Sequence, residues 1–246
     1  MKKIILVLIV TIIITIIIVG YVFFDTHTII CKEVYSNNIT ELIIAEYEPA
    51  DNLDKIKRFS KLKKLSIFRD DVSDFDFLSE LNDLETLHLI TPNIEDLSYI
   101  YNNQKLKELQ INSPNLKTLD GLLELHDLED IQVWSSNLND ISELGGADKI
   151  KSINIRTNER IDYQCLSGCT NLIDLDLAGN KNLGSLPIDK LTNLQKIDIA
   201  YTDFTDFEEL LDLPNIQEVS VSDSMMSEDM MQKFKDKGIT VTMFIE

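Results

Sequence analysis

Histidine and cysteine are the side chains best suited to catalysis or metal binding, and this chain contains three of each. The histidines His27, His88 and His126 form no His-x-x-x-His pair, and the chain has no serine elbow and no glycine-rich phosphate loop. Cys165 and Cys169 form no CxxC pair and have no histidine nearby, so their spacing does not predict a zinc site. The sequence therefore predicts a protein that is not an enzyme and that uses no metal and no cofactor.

The cysteines are also too few for a disulfide framework. Cys169 falls at an inward apolar position, and Cys165 lies one helical turn earlier, so a bridge between them is an awkward but open alternative. Cys31 is expected either to stay a free thiol or to form an intermolecular bridge near a membrane.

Carboxylates form a third group with possible chemistry. Asp174 and Asp176 flank Leu175, and Asp198 follows Asp176 by 22 residues. On adjoining parallel strands Asp176 and Asp198 lie ~4.8 Å apart, close enough to raise one pKa or to attract a cation. Lys196, level with Asp174, favours an ordinary, partly paired cluster. A weak Ca²⁺ site is the alternative, but about six to eight oxygen ligands are normally needed.

The elements that position these residues follow from a repeat of 22 residues with apolar first, fourth and sixth positions. It runs in step from Leu62-x-x-Leu65-x-Ile67 to Ile216-x-x-Val219-x-Val221. One unit offers roughly six apolar side chains, at ~1.5–3 kcal/mol for each one fully buried, whereas ordering its backbone costs ~1–2 kcal/mol per residue. Stacking is therefore obligatory. The period predicts an α/β fold, a leucine-rich repeat solenoid with a concave parallel sheet, and the apolar first residues add one N-terminal transmembrane helix before it.

The concave face of the predicted sheet is where we expect binding. Strand side chains alternate faces, so the third, fifth and seventh positions of each unit point outward together. Aromatic and arginine side chains there are typical of binding hot spots, although aromatic residues also occupy strands simply because they pair well. Trp134, the only tryptophan, is the best single candidate. The predicted binding residues are Phe68, His88, Ile90, Gln110, Gln132, Trp134, Asn154, Arg156 and Tyr201.

Each unit also carries apolar residues beyond its strand. In the first unit these are Val72 and Phe75, expected in the lower core, and Leu78, expected towards the convex side. The return segment is too short for a long helix, so we expect 3₁₀ or single-turn pieces.

The units resemble the 22-residue class of bacterial leucine-rich repeats found in internalins and related surface proteins, with the pattern L-x-x-L-x-L-x-x-N-x-(I/L)-x-x-(I/L). The resemblance covers about residues 62–224. It implies a curved, right-handed solenoid with a parallel sheet on its concave side, which is usually the side that binds proteins. No sorting signal or wall-binding module accompanies the repeats, so adhesion to host receptors is not implied.

The ladder asparagine departs from that pattern. Asn158 and Asn180 hold the ninth position, but other units carry the residue one position later, and this shift predicts a change of loop geometry between the fourth and fifth regular units. The later residues are Asn93, Asn115 and Asn137, with Asp71 and Asp203 in the same place elsewhere.

The first residues predict a membrane anchor. Lys2 and Lys3 precede an apolar or neutral stretch from Ile4 to Phe24, and ~20 such residues cross a hydrocarbon core of ~30 Å. Because no small-residue cleavage site follows, an uncleaved signal-anchor is favoured over a cleaved signal. The two lysines favour a cytoplasmic N-terminus, which places the repeats outside the cytoplasm in a single-pass protein of the cell membrane.

The formal charge of −19 makes nucleic acid an unfavourable partner. Cationic ligands are permitted, although solubility alone also explains an acidic solenoid.

Five segments are predicted. These are a signal-anchor helix (1–24), an irregular linker (25–38), an N-terminal cap (39–61), the repeats (62–224) and a C-terminal cap (225–246). Asp51 is expected to cap a short helix that ends at Arg58. A second, amphipathic helix is expected from Met225 to Lys237, followed by a strand from Ile239.

The predicted function is that of a membrane-anchored, extracytoplasmic leucine-rich repeat protein that binds an unidentified protein through its concave face. Two alternatives remain open: a structural or assembly subunit of a cell-envelope complex, and a secreted leucine-rich repeat protein released by signal cleavage.

Overall fold

The computed structural model describes residues 2–45 and 50–245, without the side chains of residues 2–10 and 24. Helix α1 spans Lys2–Thr26. Within the described residues, no helix has both the length and the hydropathy needed to cross a membrane. The predicted span over residues 4–24 lies partly outside the described side chains, and it stays a prediction.

Ten parallel strands, β3 to β12, form one sheet in strict chain order, and two further strands form an antiparallel hairpin. This is the predicted leucine-rich repeat solenoid. The strands are β1 (His27–Ile30), β2 (Glu33–Ser36), β3 (Glu41–Ile44), β4 (Lys64–Phe68), β5 (Thr86–Ile90), β6 (Glu108–Asn112), β7 (Asp130–Trp134), β8 (Ser152–Arg156), β9 (Asp174–Asp176), β10 (Lys196–Asp198), β11 (Glu218–Ser222) and β12 (Thr240–Phe244).

The repeat period sets the register of the sheet. Leu65 lies beside Leu87, which lies beside Leu109, so equivalent positions of successive units are direct neighbours. Most of the strands alternate buried inward residues with half-exposed outward ones, because only one face of the sheet meets the core. The expected lower-core and convex residues, Val72 and Leu78 among them, are buried.

The return segments are short, as expected from their length. Only α2 (Phe207–Leu211) is an α-helix among the returns between β4 and β11, and the other turns are 3₁₀. The 3₁₀ segments of the chain are Leu53–Arg58, Asp76–Glu80, Ser98–Ile100, Leu122–Glu124, Ser142–Gly146, Tyr163–Gly168 and Ile188–Lys190.

The predicted irregular linker is wrong, because β1 and β2 pair within it as an antiparallel hairpin. Ile30 is fully buried there, and Thr28 donates a 2.6 Å hydrogen bond to Asn37 Oδ1. The hairpin therefore belongs to the N-terminal cap and covers the open end of the core. Cys31, in the turn of the hairpin, is buried and is a free thiol in this chain, and its burial disfavours the alternative of an intermolecular bridge.

The expected capping role of Asp51 is wrong as well. The 3₁₀ helix Leu53–Arg58 follows Asn52, whose left-handed φ of 64° starts the turn without a side-chain cap. The Asp51 backbone carbonyl instead accepts the Cys31 N–H at 3.1 Å, which joins the cap helix to the hairpin.

At the other end, α3 (Glu228–Asp236) begins later than predicted because Ser227 Oγ accepts the Met230 N–H at 3.2 Å. Gly238, with a φ of 76°, follows the helix and leads to β12. Phe234 is fully buried under the last coil. Together α3 and β12 cover the final repeat.

Charged side chains form two columns along one flank, at positions that come just before each strand in the sequence. In each column lysine alternates with an acidic residue in successive units. The second-position column pairs Lys63 with Glu85 at 2.6 Å, Lys107 with Glu85 at 3.5 Å and Lys151 with Glu129 at 2.7 Å. The column two residues earlier pairs Lys105 with Asp83 at 2.6 Å and Lys149 with Asp127 at 2.7 Å. Such exposed pairs add little stability individually, but like charges at every rung would repel one another.

The loop beyond the strands is held by buried hydroxyl groups at the eighth position. Ser113, Ser135 and Thr157 each donate to a loop carbonyl of the preceding unit at 2.7–2.9 Å. From the next unit Asn180 takes over, accepting the Thr157 N–H at 2.9 Å and donating to the Ile155 carbonyl at 2.7 Å.

The predicted change of loop geometry therefore occurs, but between the fifth and sixth regular units rather than one unit earlier. The reason is that the side chain of Asn158 is exposed, so it does not act as a ladder asparagine. Asn93, Asn115 and Asn137 do bond loop carbonyls of the preceding unit, as a ladder asparagine should.

We predict that Leu109→Ala lowers the free energy of unfolding by about 2–5 kcal/mol, since its side chain is fully buried between two neighbouring coils. Urea denaturation monitored by circular dichroism measures the loss. The half-buried neighbour Gln110→Ala is the control, with an expected change within about 0.5 kcal/mol. Equal effects of the two changes would contradict the assignment of inward and outward positions.

Candidate functional site

The concave face contains a cavity of about 650 Å³ between the ends of the central strands and the C-terminal cap. Strand residues of β6, β7, β8, β10 and β12 line it, together with residues of the loops that follow some of the strands. Its principal lining residues are Asn112, Trp134, Arg156, Ala178, Gly179, Asp198, Ala200, Tyr201 and Phe244.

The floor of the cavity exists because its residues are small. The seventh position carries Trp134 and Arg156 on β7 and β8, but Ala178 and Ala200 in the next two units. Gly179 adds no side chain beside them, and both alanines are buried. The sudden loss of side-chain volume therefore opens a depression in an otherwise continuous column.

Trp134 forms one wall and is fixed by hydrogen bonds. Its Nε1–H donates to Asn154 Oδ1 at 3.0 Å, and Asn154 Nδ2 donates to Asp176 Oδ2 at 2.6 Å. The Arg156 guanidinium lies 5.6 Å from the centre of the indole ring and 3.8 Å from Asp176 Oδ2. A cation–π contact and an ion pair thus hold the arginine in one place.

Tyr201 and Phe244 form the opposite wall. Tyr201 has a left-handed φ of 59°, and Ser222 Oγ accepts its backbone N–H at 2.7 Å. Its hydroxyl donates to the Ile245 carbonyl at 3.0 Å, and the two rings lie 6.3 Å apart. The C-terminal strand is therefore part of the site.

Asp198 supplies a carboxylate to this cavity. It is half-buried, and its Oδ1 accepts the Ala200 N–H at 3.0 Å. Burial raises the pKa of Asp198, and repulsion from Asp176 adds to the effect, against the lowering by the Ala200 N–H.

Lys196 supplies part of the compensation of the predicted carboxylate cluster, as expected. Lys196 is level with Asp174, as predicted, but its ion pair is with Glu218 at 3.8 Å. Burial raises the pKa of Asp174 even though Lys196 lowers it. In the described part of the chain, no three His, Cys, Asp or Glu side chains are grouped to hold a metal ion.

Three of the predicted binding residues, Trp134, Arg156 and Tyr201, line the cavity. A fourth, Asn154, accepts the hydrogen bond of the Trp134 indole. The other five lie on the outward face of the sheet, outside the cavity, because they precede the small-residue floor. These are Phe68, His88, Ile90, Gln110 and Gln132. His88 is held between Ser66 Oγ at 3.4 Å and Glu108 Oε1 at 3.0 Å.

Sequence reasoning missed Phe244 and the floor residues Ala178, Gly179 and Ala200. A signal for the floor was present, since the seventh-position column changes abruptly from large to small side chains. Phe244 also had a signal, since it follows Ser222 by 22 residues and lies beside it in the sheet, but the non-repeating α3 interrupts the pattern before it.

The cysteines do not add chemistry to the site. Cys165 and Cys169 are free, so the alternative of a bridge between them is wrong. Burial raises the pKa of Cys165 to about 11 and that of Cys169 to about 12, which keeps both thiols protonated and unreactive. Cys169 Sγ lies 3.2 Å from the Leu144 carbonyl as a core hydrogen-bond donor.

No protein-family model and no curated protein matches this chain, but solved leucine-rich repeat structures do. Internalin C2 from Listeria monocytogenes aligns over 77% of this chain and 83% of its own, with 22% identity and a TM-score of 0.64. Internalin F from the same organism aligns over 87% and 85%, with 15% identity and a TM-score of 0.55.

A third structure, the complex of TLR13 with the single-stranded RNA ssRNA13, aligns over 76% of this chain but only 30% of that one, with 16% identity and a TM-score of 0.59. These likenesses establish an internalin-like leucine-rich repeat fold. Because identities are this low, they establish the fold alone.

We predict that Asp198→Asn stabilises the folded chain at neutral pH, because the variant has no charge to desolvate and its amide oxygen still accepts the Ala200 N–H. As pH falls through the raised folded-state pKa, wild-type Asp198 becomes neutral and the advantage of the variant shrinks. Melting temperatures of both proteins from about pH 3 to about pH 8, a range that includes the ordinary Asp pKa of about 3.9, measure this. The exposed Asp70→Asn is the matched control, and a pH-independent difference for Asp198→Asn would contradict the argument.

Proposed function

We propose that this chain is a binding protein whose concave face docks a protein ligand at the cavity between Trp134 and Tyr201. The observation that carries the proposal is the stacked Trp134–Arg156 pair at the rim of a preformed depression. Tryptophan, tyrosine and arginine in a concave, rigid setting are the residues that dominate binding energy at protein interfaces. The internalin-like fold supports the choice of a protein as ligand.

Rigidity strengthens the proposal. Trp134 is anchored by Asn154, and Asn154 by Asp176, so little side-chain freedom is lost when a ligand packs against the indole. A preformed wall of this kind suits recognition. Its residues present no nucleophile beside a general base, which favours binding over catalysis.

We also propose that α1 anchors the chain in the cell membrane, with the repeats outside the cytoplasm. The sequence supports this through the apolar run behind Lys2 and Lys3. The side chains from Ile12 to Val22 are more than half exposed at nearly every apolar position, so the repeats do not cover them. A helix that is apolar all round and uncovered by protein suits a lipid environment.

The ligand proposal predicts that Trp134→Ala abolishes capture of the native partner, because truncation of a central aromatic anchor typically costs more than about 2 kcal/mol, over tenfold in affinity. Crosslinking on intact cells, followed by mass spectrometry, compares the bound proteins of wild type and variant.

Leu123→Ala is the matched control, since this exposed apolar side chain lies on the convex side. Loss of partners with Leu123→Ala but not with Trp134→Ala would instead favour the alternative of a structural or assembly subunit of an envelope complex.

The anchor proposal predicts that protease added to intact cells digests the repeats while an N-terminal tag stays in the membrane fraction. Ile13→Asp combined with Ile16→Asp should release the protein from the membrane, since a charge near the middle of a span costs about 3 kcal/mol. Val34→Asp, exposed in the hairpin, is the control. Recovery of a mature chain beginning near Asp25 in the medium would show secretion after cleavage.

A further inference from the structure

We infer that the cavity takes a cationic side chain, lysine or arginine, of the protein ligand, with Asp198 as its counter-ion. This inference rests on the proposed function and names the chemistry of the ligand at the same site.

The positive charge of the cavity is already paired. Arg156 lies against Asp176 and over the Trp134 ring. Asp176 also accepts from Asn154 Nδ2 and, through Oδ1, from the Ala178 N–H at 3.0 Å. The oxygens of Asp176 are therefore engaged by three groups of the chain. The charge of Arg156 also acts on Asp198, although no ion pair joins these two residues.

Asp198 differs from Asp176 in this respect. Its Oδ1 bonds the Ala200 N–H, and no cation of the described residues lies within ion-pair distance of it. The second oxygen is left for a ligand donor. Half-burial beside buried alanines makes an incoming ammonium or guanidinium more favourable than at an open surface, because water screens the pair less.

The walls suit the stem of such a side chain. Lysine and arginine carry apolar methylene groups that pack on aromatic surfaces while the charged end reaches a carboxylate. Phe244 and Tyr201 offer ring surface on one side of Asp198, and Ala178 with Ala200 offers an apolar floor. The overall charge of −19 also attracts a basic ligand over distance.

The competing occupant is an acidic side chain bound by Arg156. The geometry disfavours it, because an incoming carboxylate would approach Asp198 in the same cavity and would compete with Asp176 for the guanidinium. The experiment includes this occupant as a probe.

The test uses the full chain in detergent and the fluorescence of Trp134, the sole tryptophan and a wall of the cavity. The probes are the N-acetyl methylamides of lysine, arginine, norleucine and glutamate. We expect a saturable fluorescence change with the lysine or arginine probe, and a weaker one with norleucine, which keeps the stem but lacks the charge. Asp198→Asn should lower the affinity for the cationic probe by about tenfold or more, which is the effect expected when a hydrogen bond between charged groups is lost.

Asp70→Asn is the matched control, since it removes one carboxylate from an exposed loop outside the cavity. Thermal melts followed by circular dichroism establish that both variants fold. Equal binding of norleucine, preferred binding of glutamate, no saturable change with either cationic probe, or unchanged affinity in a folded Asp198→Asn would each overturn the inference. If partner crosslinking still depends on Trp134 in that case, only the cationic ligand is rejected, whereas crosslinking independent of Trp134 rejects the proposed function itself.

Discussion

Each coil of the solenoid is held by its two neighbours, because a single 22-residue unit cannot bury both sides of its own apolar layer. Parallel pairing from β4 to β12 places each strand residue beside the residue 22 positions away. A residue type that recurs at one position of the unit therefore forms a column of similar side chains along the molecule. The core, the charged flank and the concave face are all built from such columns, and each column takes its spacing from the pairing of the strands.

The ends of the array face a different constraint, since their apolar layers have no next coil. The hairpin of β1 and β2 covers one end with Ile30, and α3 covers the other with Phe234. The hairpin and α3 do not follow the repeat pattern, whereas β12 keeps the 22-residue register of the sheet. The C-terminal cap therefore does more than close the core, because β12 brings Phe244 against Tyr201 and so completes the cavity.

The cavity arises where the columns change their composition. Large seventh-position residues end at Arg156 and small ones begin at Ala178, close to the point where Asn180 replaces the hydroxyl ladder in the loops. Shortened strands β9 and β10 follow. The cavity therefore lies where the loop and strand geometry changes. Both features depend on the same loops at the ends of the strands.

The sequence by itself determined the solenoid, the register and the direction of each strand side chain, because these depend on a period that is visible along the chain. Trp134 and Arg156 were placed outward on neighbouring strands for the same reason. The structure decided what periodicity does not encode: the hairpin in the expected linker, the unit at which the loop changes, and the pairing of Lys196 with Glu218 rather than with Asp174. It also decided the far wall of the cavity, where Tyr201 bonds the carbonyl of a residue 44 positions away. That contact joins residues two repeat lengths apart, because β12 keeps the 22-residue register of the sheet. The repeat pattern of the sequence stops before α3, so only the structure showed that the register continues beyond this helix.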